Sequence, residues 1–196
     1  MRISLLRVRF HAKIKVNLNS ARKLIAMNQK LAIIFGLLAV GLAYLAIAGN
    51  EMQEIKTEIE ISAPPEKVWE VLTNIDGWQN WSPIIKKSSG KVVLGSKLDI
   101  TMEGKEEGKD GPQYNPKITQ VEDNKLIRWR AHMMAGFIFT NDKVLELEAT
   151  PNGTRLVHKE LFSGLLAPIF CGQMEKGVPP MLNRMNQSLK DLLEGS

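Results

Sequence analysis

Two ionisable residues stand two positions apart in the run Thr154-Arg155-Leu156-Val157-His158-Lys159-Glu160-Leu161-Phe162. In an extended strand, residues i and i+2 share a face. With Arg155 and Lys159 turned to water, Leu156, His158, Glu160 and Phe162 turn inward together. A carboxylate beside an imidazole can share a hydrogen bond and raise the imidazole pKa toward neutrality, which suits general acid/base work. The same pair can instead orient one polar group of a lipid, or simply satisfy itself. The type and spacing of the residues leave all three open.

Other chemistries have little support. Trp69, Trp78, Trp81 and Trp129 can stack on an aromatic ligand or serve as core, and Met133, Met134, Met174, Met181 and Met185 can give an adaptable lining or ordinary packing. Asp99, Glu103, Glu106, Glu107 and Asp110 are interleaved with Lys97, Lys105 and Lys109, the pattern of a solvated surface rather than a cation site. Cys171 is the single cysteine, read as buried and inert, so an intramolecular disulfide, a Cys-based zinc site and a redox pair are excluded. The chain has no phosphate loop, nucleotide fingerprint, Gly-x-Ser-x-Gly elbow or HExxH. Neither a metal nor a cofactor is expected.

The elements that position His158 and Glu160 follow from periodicity. Ile55, Thr57, Ile59 and Ile61 alternate with charged residues, predicting a half-buried first strand. Pro64-Pro65 opens a helix with Val68, Val71, Leu72 and Ile75 as its apolar stripe, and a second short helical turn holds Trp78 and Trp81. Strands are predicted at residues 97–103, 114–121, 126–132, 137–150 and 154–162, with a hairpin tip at 104–112. Val178, Leu182, Met185 and Leu189, then Leu192 or Leu193, recur at helical spacing, and Pro179-Pro180 starts or kinks that helix. The simplest packing is an α+β helix-grip fold, one curved antiparallel sheet wrapped around a long C-terminal helix. Parity then predicts an apolar inner wall of Ile127, Trp129, Phe137, Phe139, Leu145, Leu147, Leu156 and Phe162, the wall that would line any cavity between sheet and helix. Trp81, Ile100, Tyr114 and Met185 complete it, and His158 and Glu160 are its ionisable members.

Residues 31–48 run for eighteen positions without a charge, about 27 Å as a helix against a hydrocarbon core of ~30 Å. Charge divides there. Residues 1–50 hold eight of the 26 basic residues and none of the 21 acidic ones, a net +8, while residues 51–196 carry −3. A folded part of that sign lacks the basic patch that a nucleic-acid partner needs. The positive-inside rule places the N-terminus in the cytoplasm and the rest across the membrane. This gives a basic cytoplasmic segment (1–30), a transmembrane helix or signal-anchor (31–48), a linker (49–54) and a folded domain (55–194). Ala46-Ile47-Ala48 also fits a cleavage site, and the alternative is a secreted or periplasmic domain. Residues 6–19 alternate basic and apolar side chains, predicting an amphipathic strand on an anionic leaflet. Met27, just before the apolar run, is an equally good start, in which case residues 1–26 are not translated.

Several stretches together resemble a known family. Ile59-x-Ile61-x-Ala63-Pro64-x-x-x-Val68-Trp69 and Trp81-Ser82-Pro83-x-Ile85 look like the START-like superfamily, in its polyketide cyclase/dehydrase-type (SRPBCC) branch. Leu126-Ile127-Arg128-Trp129, Gly153-Thr154-Arg155-Leu156-Val157-His158-Lys159-Glu160 and Phe162-Ser163-Gly164-Leu165-Leu166 are similar to its later strands and its approach to the last helix. Around residues 132–136 the chain departs from the pattern, with Met133-Met134 in place of a Gly-rich turn. The resemblance implies an elongated apolar cavity between sheet and helix. It leaves three functions open, because one fold hosts many: a membrane-anchored, non-catalytic carrier of a hydrophobic small molecule or lipid; a cyclase or dehydratase using His158 and Glu160; and a protein-interaction module.

Overall fold

The computed structural model describes residues 2–48, 52–104, 106, 109–132 and 135–195, with side chains in the first helix from residue 20 to residue 47. Met133, Met134, Lys105 and Glu107, named above, lie outside the described residues. The chain forms two compact units, Met1–Leu45 and Ala46–Ser196.

The first unit belongs to one helix, α1 (Arg2–Ala48). Its Ala, Leu, Arg and Lys residues are strong helix formers, and once a helix is started each added residue gains a hydrogen bond for the dihedrals it fixes. Helical backbone therefore continues through residues 6–19, and the strand expected there is corrected. Ser20–Ile47 is long and apolar enough to cross a membrane, with a mean hydropathy of 2.3.

The second unit begins with β1 (Gln53–Ile61), α2 (Pro65–Thr73), a 3-10 turn (Ile75–Gly77) and α3 (Trp78–Trp81). Pro65 occupies the first turn of α2, where its missing N–H costs nothing. Val68 and Leu72 bury that helix, and Trp78 Nε1 donates to Leu72 O at 3.1 Å, which folds α3 back onto it. Seven strands follow: β2 (Ile85–Ser89), β3 (Asp99–Glu103), β4 (Asp110–Tyr114), β5 (Lys117–Glu122), β6 (Leu126–His132), β7 (Thr140–Thr150) and β8 (Gly153–Ser163). The long helix α4 (Ala167–Glu194) closes the unit.

The α+β helix-grip class is as the sequence implies, but the meander is divided. Strands β1-β8-β7-β6-β5 form one antiparallel sheet and β2-β3-β4 another, joined at the Lys97–Lys117 bridge. The division falls at Asn115-Pro116, where a proline without an N–H ends ladder pairing. Strand β2 has no counterpart in the sequence reading, because a register shift between Ile85 and Lys87 breaks its alternation. Strand β7 starts at Thr140 rather than 137, and α4 starts at Ala167, well before Pro179-Pro180. Both prolines sit inside the helix. They deprive the carbonyls of Glu175 and Lys176 of helix partners, and both of those residues are exposed to water.

The larger sheet has two unlike faces, as antiparallel sheets often do. Its outer face carries a ladder in which Arg155 meets Glu58 and Glu148, and Lys159 meets Glu146 at 2.7 Å. Its inner face joins α2, α3, the smaller sheet and α4 around one apolar cluster containing Ile61, Val68, Trp78, Ile100, Trp129, Leu145 and Met185. Trp78 lies 5.7 Å from Trp129 and 5.9 Å from Trp81 between ring centroids.

The β7–β8 turn, Pro151-Asn152-Gly153, tests this packing. Gly153 has φ +143, and a Cβ there would stand 2.2 Å from the carbonyl oxygen of Ile61. Gly153→Ala is expected to lower the unfolding free energy by about 2 kcal/mol in a denaturant titration. An unchanged midpoint would mean that the turn relaxes freely.

Candidate functional site

A cavity of about 740 Å³ opens between α4, the β3–β4 hairpin and the inner face of the larger sheet, within the usual size range of ligand sites. Val178 and Met181 of α4 form one wall, and Met102, Pro112, Gln113, Tyr114 and Asn115 the opposite one. Ala131, His132, Asn141, Lys143, Glu160 and Phe162 come from the sheet. Pro112, Gln113, Asn115 and His132 are exposed and mark the mouth, whereas Lys143 and Glu160 are buried and mark the base.

Lys143 Nζ stands 2.7 Å from Glu160 Oε1, and Asn141 Nδ2 donates to Glu160 Oε2. Strand pairing makes this geometry: Lys143 and Glu160 are directly opposite in the β7–β8 register, and Asn141 is two positions along the same face. An ammonium has three donors, and Glu160 takes one. The phenol of Tyr114 is held protonated first by burial and then by the nearby charge of Glu160. The site therefore presents donors and acceptors whose formal charges cancel.

His158 occupies a different place from the one expected. It is fully buried behind the pair and is not part of the cavity wall. Its Nδ1 lies 2.8 Å from Asn186 Oδ1, and Asn186 Nδ2 donates to Thr57 Oγ1 at 3.0 Å. That network assigns the imidazole proton to Nδ1, and Nε2 has no hydrogen-bond partner among the described residues. The His158–Glu160 pairing is thus corrected: each has its own partners. So is the direction of the pKa. Burial lowers it well below the ordinary imidazole value, Lys143 lowers it further, and the Asn186 hydrogen bond opposes them.

Of the other residues expected in the wall, Tyr114, Glu160 and Phe162 line the cavity. Ile100, Ile127, Trp129, Leu145, Leu147, Leu156 and Met185 are buried in the main apolar cluster, which they fill. Phe139 joins Phe162, Ile55 and Ala167 in a smaller cluster. Trp81 lines a separate groove with Val71, Asn80 and Leu193. Phe137 is 75% exposed, because it precedes β7 and strand parity does not extend to it; its inward placement is corrected. Cys171 is half-buried rather than buried, with Gln53 Oε1 and Glu175 Oε1 both within reach of its one S–H donor.

Sequence reasoning missed Lys143, Asn141 and Asn186. The signal was present: Leu145 and Leu147 were assigned inward, and the same parity carried back two and four positions reaches Lys143 and Asn141. Asn186 sits four residues after Leu182, within the apolar stripe.

Two measurements follow. Replacing one member of a buried pair strands the other, so Lys143→Met or Glu160→Leu alone is expected to cost about 3–5 kcal/mol, and the double variant far less. Strict additivity of the two losses in denaturant unfolding would show that the pair is not coupled. For His158, the unfolded chain takes up a proton as pH falls through about 6.5, and the folded chain refuses it. Stability is then complete above that pH and declines below it, by up to about 1.4 kcal/mol per pH unit. His158→Gln is expected to flatten this dependence between about pH 5 and 7, and an unchanged slope would assign it elsewhere.

Comparison with solved structures places the fold. A protein from Mesorhizobium loti is 24% identical, with 70% of this chain and 96% of that chain covered and a TM-score of 0.52. A Rhodobacter sphaeroides protein is 14% identical, with 74% and 99% covered and a TM-score of 0.61. An aromatase/cyclase from a Streptomyces species is 14% identical, with 74% and 94% covered and a TM-score of 0.57. No curated protein matches the chain. Over residues 52–194, nearly the whole second unit, the sequence matches the polyketide cyclase / dehydrase and lipid transport family, and the chain belongs to that family.

Proposed function

We propose that this chain is a non-catalytic binding protein for a hydrophobic small molecule or lipid, tethered to a membrane by α1. The observation that carries the reading is a cavity with an apolar wall and, at its base, a Lys143–Glu160 pair whose charges cancel. A ligand carboxylate or amine would compete with one partner of that pair and leave the other stranded in a dry site. A hydroxyl, phenol or carbonyl takes a donor or acceptor and leaves the pair intact. The ligand is therefore read as mainly apolar with one uncharged polar group.

For the tether, the support is the length and hydropathy of Ser20–Ile47. The basic residues before the apolar run orient the N-terminus to the cytoplasm and the domain outside. Cleavage after Ala48 would give the same domain in released form.

A cyclase or dehydratase reading uses the same cavity. What favours it is Glu160, a carboxylate in the cavity base, on a fold shared with an aromatase/cyclase. It loses His158 as a partner acid or base, since that imidazole is not on the wall and is disfavoured from protonation.

Solvent extraction of the purified chain, followed by mass spectrometry, is expected to release an apolar molecule with a neutral polar group. Val178→Trp fills the cavity from the α4 side and is expected to weaken an apolar fluorescent probe at least about tenfold, or about 1.4 kcal/mol. Its unfolding midpoint should stay near that of the parent. Unaltered probe binding would place the ligand elsewhere, and turnover of a polyketide-like substrate would favour the enzyme.

A further inference from the structure

At one end of the second unit large apolar side chains remain uncovered. Met52 is 57% exposed, Phe137 75%, Ile169 57% and Phe170 42%. They come from three separate segments that are locked together. Leu165 N–H donates to Phe137 O at 3.1 Å, and Leu166 N–H to Ile138 O at 3.0 Å. The Phe170 ring stands edge-on to Phe139 at 6.1 Å, and Phe139 lies 5.8 Å from Phe162. Phe162 in turn pairs with Gln53, the residue after Met52, across β1 and β8. These side chains lie beyond the strand ends, since β7 begins at Thr140 and β8 ends at Ser163, so the sheet has nothing left to cover them with. An apolar cluster of this kind on a folded surface marks an interaction site.

Two further facts select the partner. This end is where the chain enters the domain: β1 starts at Gln53, five residues past the last residue of α1 at Ala48, a reach of at most about 18 Å. It is also where the cavity opens. His132 at the mouth is so close to Gly136 that a Cβ on that glycine would meet its Nδ1 at 2.9 Å, and Phe137 is the next residue.

Resting on the reading of α1 as a membrane anchor, we infer that this face docks on the bilayer that holds the anchor. Phe137, Ile169, Phe170 and Met52 seat in the boundary between headgroups and acyl chains, as apolar faces of interfacial segments do. The short linker keeps the bilayer within reach, so the effective concentration is high and the face needs little affinity of its own. Docked in this way, the cavity mouth faces lipid, and an apolar ligand passes between bilayer and cavity without crossing water.

The test uses the full chain reconstituted into phosphatidylcholine vesicles, in a Cys171→Ser background. Phe137→Cys, or Asp123→Cys in the exposed β5–β6 turn near the other end of the strands, carries an environment-sensitive fluorophore. Denaturation midpoints matching the parent confirm that both labelled chains are folded. At position 137 the emission is expected to shift to the blue and to be quenched by doxyl-labelled lipid, with neither change at position 123. A label at 137 that stays in water, on a chain that survives an alkaline wash of the vesicles, overturns the docking face and leaves the anchor intact. A chain washed off the vesicles overturns the anchor and the docking together. Equal quenching at both positions, or self-quenching at 137 without lipid quenching, overturns the inference in favour of unspecific adsorption or of a second copy.

Discussion

The register of β7 against β8 is the constraint on which the rest of the domain depends. It sets Lys143 opposite Glu160 on the inner face, where both charges are buried and each is the other's nearest counter-charge. The preceding residue, Asp142, is equally buried but faces outward, where Arg130 and Arg128 grip its carboxylate from β6. Burial pushes that carboxyl up, yet the two guanidinium groups hold it below the usual carboxylate range. Consecutive residues of opposite charge thus fasten one strand to a different neighbour on each face. A slip of one residue would turn Asp142 toward Glu160 and leave Lys143 outside beside two arginines. Few apolar pairings discriminate so sharply, because apolar side chains tolerate exchange and stranded charges do not.

The same pair explains why the interior is filled at one end and open at the other. Toward Ile61 and Leu147, the space between sheet and helices is packed by Trp78, Trp129, Leu145 and Leu189. Toward Thr140 and Ser163, the inner face instead offers mostly small and polar side chains, Ala131, Asn141, Lys143 and Glu160, with Phe162 beside them. Small and polar side chains cannot close a gap of that width, and collapse onto the pair would strip its remaining donors of any partner. The cavity is the space left where the sheet changes from apolar to polar lining.

Much of this fold was legible because most of its segments obey one period. The half-buried β1, the stripe of α2 and the alternation of β8 are each visible in the spacing of Ile, Val and Leu, and the family motifs fall on these elements. Strand β2 was not legible, since its bulge destroys alternation, and the break at Pro116 was passed over inside an apparently continuous strand. The site was legible only in part. Glu160 was found through parity on β8, but its partner was not, because a lysine is presumed to face water and Lys143 was not carried along the parity of Leu145 and Leu147. His158 drew attention for its chemistry, whereas its actual neighbour, Asn186, lies 28 residues away on a helix. Contacts between distant segments leave no local period to read.

That contact shows what the imidazole does. His158, Asn186 and Thr57 are buried and join β8, α4 and β1 by hydrogen bonds, so they fix both the height and the rotation of the helix. A helical face repeats at three and four residues. Val178, Met181 and Met185 therefore share one stripe, and Asn186 stands beside its last member. Setting the rotation at Asn186 aims Met181, five residues upstream, at the cavity, and Val178 three residues further on, beyond the pair of prolines that removes two bonds from the helix ladder. The buried histidine is a fastener, and its neutrality is the condition of that role: a protonated ring would have to discharge beside Lys143 in a site with no counter-charge to spare. The polar groups of this interior divide accordingly. The His158 network holds the roof in place, and the Lys143–Glu160 pair keeps the floor open.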